Sequence, residues 1–547
     1  MGRNILESSL KYASFSIIFQ VLFRCITFVL NAFIVRTLGH EVLGIMNVRL
    51  LLLESTILFL SKEPLLKACL TNTKSHNWAQ VINLIWLSIP IAFLLSICLV
   101  YIWLNVLSPV DDIFLEQYKW GCYSIALSCI IEQCTQSIVL VVQSFCFVKL
   151  KIILDTIYIL VRTFIFVCLV MYNPYSAIGA FAIAQIISAI ILGISYFVFF
   201  AWYIPNLKMH NKKEQTNSQL FDDMKDFPFR SILDFFPGMM KNENNMLNKE
   251  LCVLTMSFTR QSLVKQILTE GEKYVMTISP VMTFTQQSMY DIVNNLGSLA
   301  ARFIFRPIEE SAYFYFTQMV QRDVPVKNQN KESISESALV LKQLCNVIIS
   351  FGLVIFVFGQ SYSYTLLYLY GGQNLVNNML PVTLLKFHCF AIILLAINGV
   401  TEGFVFATMS NKQLDRYNYV MVLFSVIFLI ISYVLTILLG PVGFIIANCI
   451  NMLSRITHSF HYIRNMYRNS PYKPLDGLRP SWKFISVLLI SSYCTKLSEG
   501  SFLRTSIFAH IFIGAIFFFL TIVVWSLDNK ELLKIGYDKY KRKQLKK

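Results

Sequence analysis

The chain has 547 residues, of which 56% are hydrophobic and only 14% are charged. Soluble domains carry about 25% charged residues, so this composition excludes an ordinary soluble protein and favours one that crosses a membrane many times. The formal net charge is +16. Its basic residues concentrate in every second predicted loop, which is typical of membrane topology rather than of a nucleic-acid surface, and we predict no nucleic-acid partner.

Long apolar segments follow one another along almost the whole chain, and a helix needs about 20 apolar residues to cross a bilayer. The predicted spans lie near residues 12–37, 43–62, 79–106, 119–146, 150–172, 176–203, 261–280, 284–318, 336–360, 379–409, 414–439, 442–466, 481–498 and 505–527. The sequence therefore predicts an all-α polytopic membrane protein with about fourteen transmembrane helices.

A polar stretch after the sixth span divides the chain. We predict an N-terminal lobe of six spans over 1–205, a cytosolic linker over 206–260, a C-terminal lobe of six spans over 261–470, and two extra spans with a basic cytosolic tail over 471–547. Lys and Arg residues follow the even-numbered spans up to the twelfth, whereas the intervening turns carry few. By the positive-inside rule, both termini are predicted to be cytosolic.

Sequence motifs of catalysis and metal binding are absent from this sequence. The thirteen cysteines include no CxxC pair and no Cys/His metal spacing. There is no phosphate-binding G-x-x-x-x-G-K-[ST] loop, no G-x-S-x-G elbow and no H-E-x-x-H pair. We predict a protein that is not an enzyme, with no cofactor and no metal site.

Ionisable residues nevertheless occur within or beside the apolar spans. On the first predicted helix, Arg24 and Asn31 are seven residues apart and hence share one face, and Arg36 follows them. A guanidinium group matches the geometry of a phosphate diester or pyrophosphate. An alternative for Arg36 is a side chain that snorkels to the lipid interface. Lys62 is a further cation, at the end of the second span.

Two later regions are also rich in charge. Glu270, Asn295 and Arg302 belong to a pair of helices too polar to face lipid, which must line water or pair with each other; an ion-pair network that only stabilises the fold is the alternative. Glu402 lies on the tenth span. Asn451 and Arg455 share a stripe of the twelfth span, where asparagine can also simply join membrane helices.

Several runs of the chain resemble the eukaryotic Rft family, and the resemblance covers nearly the whole chain. The runs are RCITFVLNAFIVRTLG, NVRLLLLESTILFLSKEPLLKACL, KQILTEGEKYVMT, YDIVNNLGSLAARFIFRPIEES, AINGVTEGFVFATMS, DRYNYVMV and GFIIANCINMLSRITHSF. The family belongs to the multidrug, oligosaccharidyl-lipid and polysaccharide exporter superfamily. The resemblance implies two six-helix lobes around a central cavity, two further helices, and a place in the endoplasmic reticulum membrane.

The same resemblance implies a substrate. Family members are assigned to moving pentamannosyl-chitobiose pyrophosphoryl-dolichol from the cytosolic to the luminal leaflet for protein N-glycosylation. The predicted headgroup site would take its cations and polar groups from Arg24, Asn31, Arg36, Lys62, Glu270, Asn295, Arg302, Glu402, Asn451 and Arg455. The predicted partners are the dolichol-linked oligosaccharide and membrane lipids, bound by a monomer.

Two other functions fit the sequence. A non-transporting protein of the same pathway would need only the fold and a headgroup site. A small-molecule or cation antiporter would need a cavity centred on carboxylates, and the excess of arginines counts against that function.

Overall fold

The structure is a computed structural model, and it is all-helical over the residues that it describes. These residues are 23, 25–71, 77–107, 109–145, 147–213, 227–241, 245–278, 281–322, 324, 328–468, 470–503, 505–530 and 534. Two predicted features, the Arg24 site and the basic C-terminal tail, lie outside them.

The chain forms two compact units, Met1–Ser288 and Met289–Lys547. The first contains the helices α1 (Cys25–Thr37), α2 (His40–Leu70), α3 (Trp78–Asn105), α4 (Asp112–Gln133), α5 (Gln136–Ser144), α6 (Val148–Tyr172), α7 (Ala177–Lys213) and α8 (Lys249–Ile278). Helix α9 (Phe284–Ala300) contains the point of division. The second unit continues with α10 (Arg306–Met319), α11 (Lys331–Gly371), α12 (Leu380–Thr408), α13 (Asn411–Leu439), α14 (Val442–Met466), α15 (Trp482–Phe502) and α16 (Ile507–Asp528).

The predicted spans overlap helices of the structure, and the span near 442–466 coincides to the residue with α14. The span near 119–146 corresponds to two helices, α4 and α5, and the span near 284–318 to α9 and α10. Residues 12–22 of the first predicted span lie outside the described residues. Within the described residues, eight helices are long and apolar enough to cross a membrane, or nine if the pair α4 and α5, bent by 47°, is one span. The polytopic all-α fold is confirmed, whereas the count of fourteen spans is not. The predicted lobe boundaries also stay a prediction, because the compact units divide at 288/289 rather than in the polar linker.

Local sequence explains where several helices begin and bend. The side chain of Ser410 accepts a hydrogen bond from the backbone N–H of Gln413, whose own side chain returns to Ser410, so a capping box starts α13. Two helical stretches widen into single π-helical segments, Ile45–Leu50 and Ala301–Phe305. Such segments are frequent at functional sites because they rotate the side chains that follow them.

The helices pack in the same order in both units. In the first unit α7 packs against α4 and α6, and in the second unit α14 packs against α12 and α13. Helix α10 packs across α12, and the C-terminal pair α15 and α16 joins the second unit through α11. Each unit thereby brings ionisable side chains of its inner helices together.

Candidate functional sites: two buried ion-pair clusters

A saturated carboxylate forms the centre of the second unit. Glu402, only 5% exposed, accepts hydrogen bonds from Arg455 Nε (3.1 Å) and Arg455 Nη2, from the Tyr417 hydroxyl (2.8 Å) and from Asn398 Nδ2 (3.1 Å). We call these four residues the Glu402 cluster. Four donor atoms therefore converge on one carboxyl group, and two of them belong to a guanidinium.

Three helices supply the Glu402 cluster. Asn398 and Glu402 are four residues apart on α12 and therefore lie on the same face. Tyr417 comes from α13 and Arg455 from α14. Helix α14 packs against both α12 and α13. The ring of His458 stacks on Tyr417 with 4.3 Å between ring centroids, and its Nδ1 has no hydrogen-bond partner among the described residues.

A second group, the Glu54 cluster (Glu54, Tyr158, Arg162 and Gln185), lies in the first unit. Gln185 Nε2 donates to Glu54 Oε1 at 2.7 Å and to the Tyr158 hydroxyl at 3.0 Å, and Arg162 Nη1 lies 3.6 Å from Glu54 Oε1. These side chains come from α2, α6 and α7. Both units thus combine a buried carboxylate, an arginine, a tyrosine and an amide drawn from three helices.

Lys62 forms a separate ion pair in the first unit. Its Nζ lies 2.8 Å from Glu132 Oε1, and the two side chains are 28% and 12% exposed. Next to this pair, Gln133 Nε2 donates to Ser61 Oγ at 3.0 Å. The cation is therefore neutralised by a carboxylate of its own unit, and an anionic ligand would have to share or replace that partner.

Only some of the predicted site residues come together. Glu402 and Arg455 meet, and Asn451 lies on the same helix as Arg455 with an Oδ1 that has no hydrogen-bond partner among the described residues. Glu270 pairs instead with Lys273, at 3.0 Å.

The other predicted residues lie elsewhere or cannot be placed. Asn31 and Arg36 are exposed. Asn295 is exposed and donates to Asp291 on its own helix. Arg302 belongs to the π-helical segment, and its side chain is outside the described part of the structure. Whether these residues bind a substrate stays a prediction.

Several cluster residues were not predicted as site residues: Glu54, Glu132, Tyr158, Arg162, Gln185 and Tyr417. Single polar residues in apolar helices carry no local pattern that names their partners. The sequence does carry a signal for a different contact, that of α10 with α12: Gly399 and Gly403 are four residues apart around Glu402. Small residues at that spacing allow a second helix to approach closely, and α10 does so.

Two solved transporters show which class of protein has this fold. The lipid II flippase MurJ in an inward closed conformation superimposes with a TM-score of 0.54 at 13% identity, over 94% of this chain and 100% of that chain. A multidrug resistance MATE family transporter of the MOP superfamily in an inward-facing conformation gives 0.51 at 11% identity, over 82% and 96%. The chain shares the fold of these two transporters and is a multi-pass membrane protein.

The family follows from the sequence. The family model described as Rft protein matches residues 8–539, and the chain belongs to that family, which confirms the resemblance noted above. One relative, the Man(5)GlcNAc(2)-PP-dolichol translocation protein RFT1 of Drosophila melanogaster, is 49% identical over 98% of both chains.

Proposed function

We propose that this protein translocates pentamannosyl-chitobiose pyrophosphoryl-dolichol across the endoplasmic reticulum membrane, from the cytosolic to the luminal leaflet, for protein N-glycosylation. It would act as a monomer with both termini in the cytosol. The headgroup would cross through a central cavity by alternating access while the polyprenyl tail stays in lipid. The observation that carries this proposal is the 49% identity, over 98% of both chains, to the relative named as a translocation protein for this lipid.

The ion-pair clusters support an anionic, sugar-bearing headgroup. A guanidinium presents five N–H donors in a planar fork that suits phosphate oxygens, and Glu402 receives hydrogen bonds from two donor atoms of Arg455. The side chain of Arg455 is 29% exposed, whereas the side chain of Glu402 is 7% exposed. The carboxylate thus holds the guanidinium in place while part of the guanidinium stays accessible to a pyrophosphate. Before the ligand binds, the charge of Arg455 is paired with that of Glu402.

The partners of the cluster suit the rest of the headgroup. Asn451, one turn before Arg455 on α14, has an amide oxygen without a partner among the described residues, and a sugar hydroxyl can donate to it. Lys62 with Glu132 offers a comparable pair in the first unit. Paired charges also explain how a chain with so many ionisable residues is stable in lipid.

Reconstitution tests the proposal directly. The purified protein is placed in vesicles with the lipid-linked oligosaccharide in both leaflets, and a membrane-impermeant mannose-binding lectin then captures the outer-leaflet fraction. Translocation predicts that nearly all of the lipid becomes accessible with the wild-type protein, against half in protein-free vesicles. Arg455→Gln should slow capture of the inner-leaflet lipid at least tenfold, whereas Arg306→Gln, at an exposed ion pair, should leave it unchanged.

Capture limited to half of the lipid, together with saturable binding of the oligosaccharide in detergent, would overturn the proposal. The chain would then be a non-transporting lipid-oligosaccharide-binding protein of the same pathway. Equal rates for the two arginine variants would remove Arg455 from the mechanism and leave the translocation itself standing.

A further inference from the structure

A second carboxylate lies against the Glu402 cluster and plays no part in it. Glu309 on α10 projects onto α12 where residue 399 is glycine, and a Cβ atom at that position would lie 1.5 Å from Glu309 Oε1 and 2.2 Å from its Cδ. Any other residue at 399 would therefore displace the carboxyl group. The absence of a side chain at Gly399 makes the space that Glu309 occupies.

Helix geometry brings this carboxyl group close to Glu402. Residues 399 and 402 are three apart on α12, which corresponds to about 4.5 Å along the helix axis on nearly the same face. Among the described residues, the charged groups that act on Glu309 are Glu402 across the helix contact, and Arg306 and Glu310 on its own helix.

The other titratable groups of this region surround Glu402 rather than Glu309. Arg455 and Tyr417 donate to Glu402, and His458 stacks on Tyr417. They come from α13 and α14, whereas Glu309 reaches α12 from α10.

Arg455 is bound to Glu402 and not to Glu309. Glu309 forms no hydrogen bond or ion pair with another residue in the described part of the chain, and Arg306 pairs with Glu310 at 2.9 Å. A half-buried carboxylate without a donor is unfavourable beside a second negative charge, and such a group takes up a proton instead.

The neighbouring amide points to the same conclusion. Asn398 is only 5% exposed and uses its Nδ2 to donate to Glu402. Its Oδ1 is buried without a hydrogen-bond partner among the described residues. A buried acceptor left unpaired costs about 1–3 kcal/mol, so this corner of the cluster has an acceptor in need of a donor. A protonated carboxyl group is a donor, and a carboxylate is not.

We propose that Glu309 is a proton-binding site of the second unit. It accepts a proton from water as the neutral acid while Arg455 is bound to Glu402, and it returns that proton to water as it becomes a carboxylate. The ionised Glu309 places a second negative charge beside Glu402, and proton uptake removes it.

Infrared difference spectroscopy on the full-length protein tests this site without any transport assay. Spectra are recorded in lipid between acid and alkaline buffer, and the carbonyl stretch of protonated carboxyl groups is followed. We expect the wild-type protein to show a band that is lost in Glu309→Gln and retained, shifted in frequency, in Glu309→Asp. Glu310→Gln, which changes the adjacent exposed carboxylate, should retain the band unchanged.

Two results would overturn the inference. One is an unchanged band in Glu309→Gln, which would mean that another carboxyl group titrates. The other is a band that disappears on replacing choline by sodium at constant pH, which would assign Glu309 to a metal cation instead of a proton. Glu309→Asp keeps the carboxyl group, so it provides a folded comparison if the glutamine variant is unstable.

Discussion

Replacing Arg455 by methionine removes the cation of the Glu402 cluster and keeps most of the side-chain volume. Glu402 would then keep its two neutral donors, Tyr417 and Asn398, but lose the guanidinium while remaining buried. The loss of hydrogen bonds to the charged group and the uncompensated negative charge both act against the folded state.

The structure sets the size of the expected effect. Removing one partner of a buried ion pair costs about 3–5 kcal/mol, whereas an exposed pair is worth about 0–1 kcal/mol. The side chain of Glu402 is 7% exposed but that of Arg455 is 29% exposed, so water screens the pair from one side. We therefore expect the free energy of unfolding to fall by about 3 kcal/mol, the lower end of the range for buried pairs.

Denaturation by sodium dodecyl sulfate in mixed micelles measures this difference. Arg306→Met is the matched control, because Arg306 and Glu310 are 70% and 67% exposed in an otherwise similar pair; its expected loss is below about 0.5 kcal/mol. In the double variant Glu402→Gln/Arg455→Met, the loss in the free energy of unfolding should be smaller, by at least about 1.5 kcal/mol, than the sum of the losses in the two single variants. Additive effects, or equal losses for Arg455→Met and Arg306→Met, would refute the assignment of a buried ion pair.

Two further substitutions test close contacts in the second unit by thermal unfolding in detergent. Gly399→Ala forces its new methyl group onto Glu309 and should destabilise the protein by about 1–3 kcal/mol. The control is the helical Gly500, which has nothing within 4 Å of an added Cβ, so that Gly500→Ala should leave the stability unchanged or raise it. A larger loss of stability in Gly500→Ala than in Gly399→Ala would contradict the contact. His510→Ala removes a fully buried ring that stacks on Tyr362 at 4.1 Å between centroids, and a loss of about 2–4 kcal/mol is expected; an unchanged melting temperature would contradict the docking of α16 on α11.

The sequence alone determined the helices. A segment in lipid has to satisfy its backbone hydrogen bonds internally, so about 20 consecutive apolar residues suffice to predict a helix without knowledge of its neighbours. The prediction near 442–466 therefore matches α14. The sequence predicted less well which of these helices are apolar enough to cross a membrane. Helices such as α8 and α14 carry so many polar residues that they are not among the eight described helices that qualify by length and composition.

Only the tertiary structure decided which charges meet. The pairs Lys62 with Glu132 and Arg455 with Glu402 join residues 70 and 53 positions apart, and no local periodicity relates them. Which face of one helix meets another depends on crossing angles and on small residues such as Gly399, which admits Glu309 to α12. Sequence patterns identified ionisable residues that lipid would not accept. Packing then assigned a partner to some of them, such as Arg455, whereas Glu309 has none in the part of the chain that the structure describes.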